Sequence, residues 1–260
     1  MRHSRALATG AILLTLAACT GESPEPGGTP SPTAAPTVSE SSPTIPPLDA
    51  THLGRALLVR AHLGKTFTRK PVAEAQFHTV FDDPDRRFGC LRALDQVSFG
   101  VPDGRAAAVT FDARNSARTP HVVHAVGSAD SVAAATAGFQ QVAALLQSCT
   151  RVRTRREGVR VDAPVRSNRQ QVLPVVDQQL NVRAVGTLRI LRSRFPLGVW
   201  ASVVRIGDLV ALVSVLDLDK DDADAQRALT VAAVRLLVAV DRGLPEPPAK
   251  RVKLEIRLPR

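Results

Sequence analysis

The sequence predicts an α+β fold, a mainly antiparallel sheet packed by helices, in a single domain that follows a signal peptide and a disordered linker. Three observations carry this. From residue 49 onward the patterns run helix, strands, helix, strands, helix. Turn residues, Pro102-Asp103-Gly104 and Gly207-Asp208, separate pairs of β-rich runs. The chain has 260 residues, 44% hydrophobic and 22% charged, which suffices for a packed core.

The N-terminus comes first. Arg2, His3 and Arg5 precede a mostly apolar run over residues 6–18. Thirteen residues are too few for a membrane-spanning helix, which needs about 20; the run fits the core of a secretory signal peptide over residues 1–18. Leu16-Ala17-Ala18-Cys19 matches the bacterial lipobox. The match implies that the Cys19 thiol is acylated and becomes the mature N-terminus, a lipid anchor in the cell membrane on its extracytoplasmic face. Residues 19–48 then form a tether. Eight of the 29 residues in 20–48 are proline, with Ser, Thr and Gly filling most of the rest. Such a segment buries too little to offset its own ordering.

The folded domain is expected over residues 49–244. A helix starts at Asp49 and ends at Gly64, and Asp82-Asp83-Pro84-Asp85 makes a turn. Strands are predicted at 91–99, 105–111 and 120–126. Ser128 is the predicted N-cap of a helix that carries Val132, Phe139, Val142 and Leu146 and stops near Cys149. Residues 151–169, rich in Arg, read as a short strand and an exposed loop. Strands follow at 181–191, 198–206 and 209–216, then a helix over 223–240. Residues 245–260 form a basic, Pro-containing tail.

With Cys19 assigned to lipid, Cys90 and Cys149 are an even pair in an exported domain. Outside the cytosol such a pair is expected to form a disulfide. It would close a loop of about 60 residues, worth roughly 4 kcal/mol on chain-entropy grounds. Two free thiols, or one catalytic thiol, are the alternatives.

No nucleophile-base pair, P-loop, dinucleotide fingerprint or zincin motif is present, so the chain is not expected to be an enzyme or to carry a cofactor. His121 and His124 are three apart on a predicted strand and therefore point to opposite faces, which makes a poor metal pair. The acidic run Asp217, Asp219, Asp221, Asp222 and Asp224 lacks the Gly and Glu of a calcium loop. It reads as a solvated turn at a helix N-terminus, and no metal site is assigned.

The formal charge is +10, yet residues 49–260 hold 32 basic and 21 acidic residues, +11. Aromatic residues are 3%, with no tyrosine, which argues against a base-stacking nucleic-acid surface. An exported address also removes nucleic acid as a partner. Anionic lipid heads or an anionic envelope polymer are the available partners, and Arg151, Arg153, Arg155 and Arg156 are the candidate ligand-binding residues, since the guanidinium fork binds phosphate or carboxylate bidentately.

Several stretches from Cys90 onward carry a family resemblance. These are Val122-Val123-His124-Ala125-Val126, the 128–149 helix with Ala133, Phe139 and its terminal cysteine, 203–210, and the final helix over 225–237. The pattern resembles the PknH-like extracellular sensor domains of actinobacteria and their stand-alone lipoproteins. The excess of Arg over Lys fits a GC-rich genome of that kind. The resemblance implies a sheet with helices and a cleft for an unidentified extracellular ligand. It also implies two disulfides, of which this chain can make one. The resulting expectation is a non-enzymatic, sensor-like envelope lipoprotein that binds a small or anionic ligand; the alternative is a carrier of apolar lipid.

Overall fold

The computed structural model describes residues 48–72, 101–102, 104–114, 119–156, 158–218 and 222–254. Two antiparallel meanders make up its sheet. The first contains β1 (Phe67–Val72), β2 (Ala106–Ala113) and β3 (His121–Ser128). The second contains β4 (Arg151–Arg156), β5 (Val159–Asn168), β6 (Gln178–Ile190), β7 (Ser193–Ile206) and β8 (Leu209–Asp217). Helix α3 (Val132–Ser148) carries the chain from one to the other, and β8 closes against β3. The result is an eight-stranded sheet of order β1-β2-β3-β8-β7-β6-β5-β4, antiparallel throughout. Residues 45–260 group as one compact unit. The α+β class read from the sequence holds.

Strand alternation decides where the core sits. The central strands are apolar on both faces, so each face needs a cover. Ala135, Phe139, Val142, Ala143 and Leu146 of α3 pack against Ala125, Leu180, Val203 and Leu212. The other face carries Val109, Phe111, Val122, Val204, Val213 and Val215. It is covered by Leu53 of α1 (Ala50–Gly54), by Leu63 of the short α2 (Arg60–Leu63), and by Leu229, Ala233, Leu236 and Leu237 of α4 (Ala223–Asp241).

Several sequence expectations change. The single helix from Asp49 to Gly64 is broken into α1 and α2. The Leu58 N–H donates to buried His124 Nδ1 at 3.0 Å, which takes it out of a helical ladder. Strand β1 lies in a stretch left unassigned; its Lys70 and Pro71 give no apolar alternation, and pairing with β2 supplies the order. Ser128 ends β3 and donates to Asp208 Oδ2 at 2.9 Å, while Ser131 is the N-cap, accepting from the Ala134 N–H at 3.1 Å. Residues 151–168 are two paired strands rather than a short strand and a loop. Val152, Ala163 and Val165 form a small cluster with Cys149 and Ala184 on one side, and arginines occupy the other. Strands β6 and β7 form a long hairpin: β6 starts at Gln178 rather than 181, and β7 starts at Ser193 rather than 198. The basic tail is partly docked: Val252 is buried and its N–H donates to the His62 carbonyl at 2.7 Å. The predicted strand at 91–99 and the turn at 82–85 lie outside the described residues.

Candidate functional site

Beyond the reach of α4, the outer strands β5, β6 and β7 leave part of the sheet uncovered. A cleft of about 390 Å³ opens there, between the first turns of α4 and the sheet. Its floor follows from register. Asn168 pairs with Asn181, and Asn181 with Ser202; two residues along, Arg166 pairs with Arg183, and Arg183 with Trp200. Positions two apart share a face, so a polar row and an Arg-Arg-Trp row lie side by side.

The polar row is tightly bonded. Asn181 Nδ2 donates to Asn168 Oδ1 at 2.9 Å and to the Gln170 carbonyl at 2.7 Å. Its Oδ1 accepts from Ser202 Oγ at 2.9 Å and from Gln179 Nε2 at 2.6 Å. From α4, buried Gln226 reaches down, its Nε2 donating to the Val213 carbonyl at 2.9 Å and to Ser202 Oγ at 3.2 Å. Those donations fix the amide orientation and leave Oε1 as an acceptor. Gln226 Oε1 and Trp200 Nε1 are both buried without a hydrogen-bond partner among the described residues. A buried polar atom left in this way costs about 1–3 kcal/mol. Arg166, Arg183 and Arg227 stand exposed around the cleft, with Asp224 beside them. Arg166 and Arg183 also line an adjoining depression of about 240 Å³ with Pro164 and Val185.

Trp200 is only 3% exposed, and its ring lies over Gly198, where a Cβ would come within 1.9 Å of Cη2. The glycine therefore makes room for the indole that walls the cleft. Nothing in the sequence pairs these residues. They are separated by tens of positions, and only the β5–β6–β7 register brings them together.

Arg151, Arg153, Arg155 and Arg156 lie on β4, the sheet edge, and Arg151, Arg153 and Arg155 do not line the cleft. Arg151 makes a forked pair with Asp162, at 2.6 and 2.8 Å, and Arg153 Nε is 3.6 Å from the same carboxylate. That forked hydrogen bond holds the Asp162 carboxyl below its ordinary range. Arg155 pairs across the ladder with Arg160, and Arg156 with Val159. Cys149 is buried at the end of α3; Cys19 and Cys90 lie outside the described residues. His124 is buried and His121 half-exposed against Asp112, on opposite faces as strand alternation requires. The acidic run is not a solvated turn throughout: Asp217 and Asp222 are buried, and Asp222 holds the N-cap position of α4 without a side-chain cap. Among the described residues no three or more His, Cys, Asp or Glu side chains gather as a metal site, and no helix is long and apolar enough to cross a membrane.

No known family model matches the chain, and no curated protein matches it. Solved structures do. An uncharacterized protein from Mycobacterium smegmatis, the Rv0999 ortholog, aligns over 71% of this chain and 95% of its own, at 11% identity and a TM-score of 0.39. The extracellular domain of PknH from Mycobacterium tuberculosis aligns over 76% of this chain and 98% of its own, at 11% identity and a TM-score of 0.50. The chain thus has the fold of the PknH extracellular domain.

Proposed function

We propose that this protein is a cell-envelope lipoprotein whose domain is a non-enzymatic, sensor-like module on the extracytoplasmic face, and that it binds a small anionic ligand in the cleft between β5–β7 and α4. One observation carries the ligand class. Arg166, Arg183 and Arg227 line one cleft together with Trp200 and Gln226, each of which has a buried polar atom without a partner among the described residues. Arginine matches carboxylate and phosphate by its planar fork. The fold shared with the PknH extracellular domain supports the extracytoplasmic, sensor-like reading.

The rest of the assignment follows from the sequence. Acylated Cys19 anchors the chain, residues 20–48 tether it, and Cys90 and Cys149 form a disulfide. Substituting Cys19 by Ala should release the protein from the membrane fraction or leave it unprocessed; unchanged retention would contradict the anchor. Native mass spectrometry of the soluble chain should show a mass two hydrogens below the reduced value. Two alkylatable thiols would contradict the disulfide.

A carrier of apolar lipid is the competing reading. The exposed guanidinium groups of Arg166, Arg183 and Arg227 at the cleft favour an anionic ligand over it. Organic extraction of the purified chain distinguishes the two: co-purified acyl lipid favours the carrier, and its absence together with retention of phosphate- or carboxylate-bearing compounds favours the anionic ligand.

A further inference from the structure

At the far end of the same sheet, two neighbouring turns come together. The β4–β5 turn at Gly158 and the β6–β7 turn at Leu191-Arg192 touch: the Leu191 N–H donates to the Gly158 carbonyl at 2.8 Å. The Leu191 side chain lies where a Cβ on Gly158 would meet its Cδ2 at 2.9 Å. Leu191 is 76% exposed and sits in the left-handed region at φ 54°, where Gly or Asn is the usual occupant. Ile190 and Val159, paired across the ladder, are exposed beside it at 41% and 37%.

Arginines flank this apolar tip from the other face of the sheet, since Arg160 and Arg189 are the strand neighbours of Val159 and Ile190. Register places Arg155 opposite Arg160, Arg160 opposite Arg189, and Arg189 opposite Arg194. That is a rung of four like charges across four adjacent strands, all exposed. Like charges directly opposed in a sheet oppose folding, and Asp162 on this face already bonds Arg151. Segments 155–160 and 189–194 together hold six arginines and one acidic residue, Glu157, which lies outside the described residues.

We propose that this tip docks on an anionic lipid surface, with Leu191, Ile190 and Val159 entering the headgroup boundary and the arginine rung pairing with lipid phosphates. Charge complementarity selects an anionic partner. The apolar wedge selects a bilayer over a soluble polymer, because a hydrophilic chain offers nothing in which to bury it. The chain ahead of the domain leads back to Cys19, where the lipobox places an acyl anchor, so a membrane is the surface within reach. The proposal is independent of the cleft.

The test uses residues 20–260, which keep the whole compact unit 45–260 and omit the apolar run 6–18. Co-sedimentation is measured with phosphatidylcholine vesicles that contain phosphatidylglycerol and with vesicles that lack it. Salt-sensitive sedimentation with the first alone is expected. Arg155→Gln, Arg189→Gln and Arg194→Gln should each weaken it about five-fold, the factor for one basic group at an anionic membrane surface. Leu191→Asn, which suits the left-handed backbone and preserves folding, should weaken it as well. In Leu191→Trp, the added emission should shift to the blue on the anionic vesicles. Absence of phosphatidylglycerol-dependent sedimentation would overturn the proposal. So would anionic binding that Leu191→Asn leaves intact and that gives no emission shift, since the arginines would then serve a soluble polyanion.

Discussion

His124 shows how a single buried side chain shapes this domain. Its Nδ1 accepts the Leu58 N–H that interrupts the first helix, and the ring is fully buried. Burial, helped by the neighbouring His62, pushes its pKa down to about 3. The unfolded chain binds a proton near the ordinary 6.5, and the folded protein does not. Stability is therefore complete above about pH 6.5 and falls as the pH drops through the window toward 3. Thermal denaturation between about pH 7 and pH 4 should show this decline, and His124→Asn should flatten it, because its Oδ1 can accept the same N–H without titrating. A second residue-scale prediction concerns backbone strain. Leu191 at φ 54° carries a left-handed penalty of about 1 kcal/mol, so Leu191→Gly should raise the melting temperature slightly. A third concerns the cleft wall. Gly198→Ala must displace the Trp200 ring, and about 1–3 kcal/mol of stability should be lost with a red shift in emission as the indole becomes wetter.

Among the elements, α3 and α4 were legible in the sequence because each carries a 3.6-residue apolar stripe over several turns. For α3 the cap is the testable detail. Ser131→Ala removes the bond to the Ala134 N–H and should cost about 1 kcal/mol in denaturant unfolding. Ser128→Ala should spare the helix and break only the contact with Asp208. The β7–β8 hairpin was equally readable, since Gly207-Asp208 separates two β-rich runs. Strands β4 and β5 were not. Their outward positions are arginine, and a strand with one charged face resembles a loop when the apolar alternation on its other face is as short as Val152, Ala163 and Val165. Strand β1 gives no alternation at all, with Thr68, Arg69, Lys70 and Pro71 all exposed, and only its pairing with β2 makes it a strand. The break between α1 and α2 depends on a hydrogen bond to a residue 66 positions away, which no local pattern reports.

For the whole molecule, the charge of +11 on residues 49–260 separates into distinct features. Part of it lines a cleft, through Arg166, Arg183 and Arg227, and part flanks an apolar tip, through the Arg155–Arg160–Arg189–Arg194 rung. The sequence reading placed the anion site on Arg151, Arg153, Arg155 and Arg156 because they are adjacent in the chain. Register instead assembles the cleft from residues on three strands and a helix, and strand pairing at that distance is not written in local composition. If the two features are separate, Arg166→Gln with Arg183→Gln should leave vesicle sedimentation unchanged, and the tip substitutions should leave cleft binding unchanged.

Trp200 is the sole tryptophan in a chain without tyrosine, and it walls the cleft, so its emission reports that site directly. Titration of residues 20–260 with pyrophosphate, glycerol phosphate, citrate and laurate while following this emission is the most direct test of cleft binding. A saturable change with a phosphate or carboxylate polyanion, lost in the Arg166→Gln, Arg183→Gln double variant and absent with laurate, is the predicted result. Saturation by laurate alone, or anion responses that the double variant retains, would contradict an anionic ligand in the cleft.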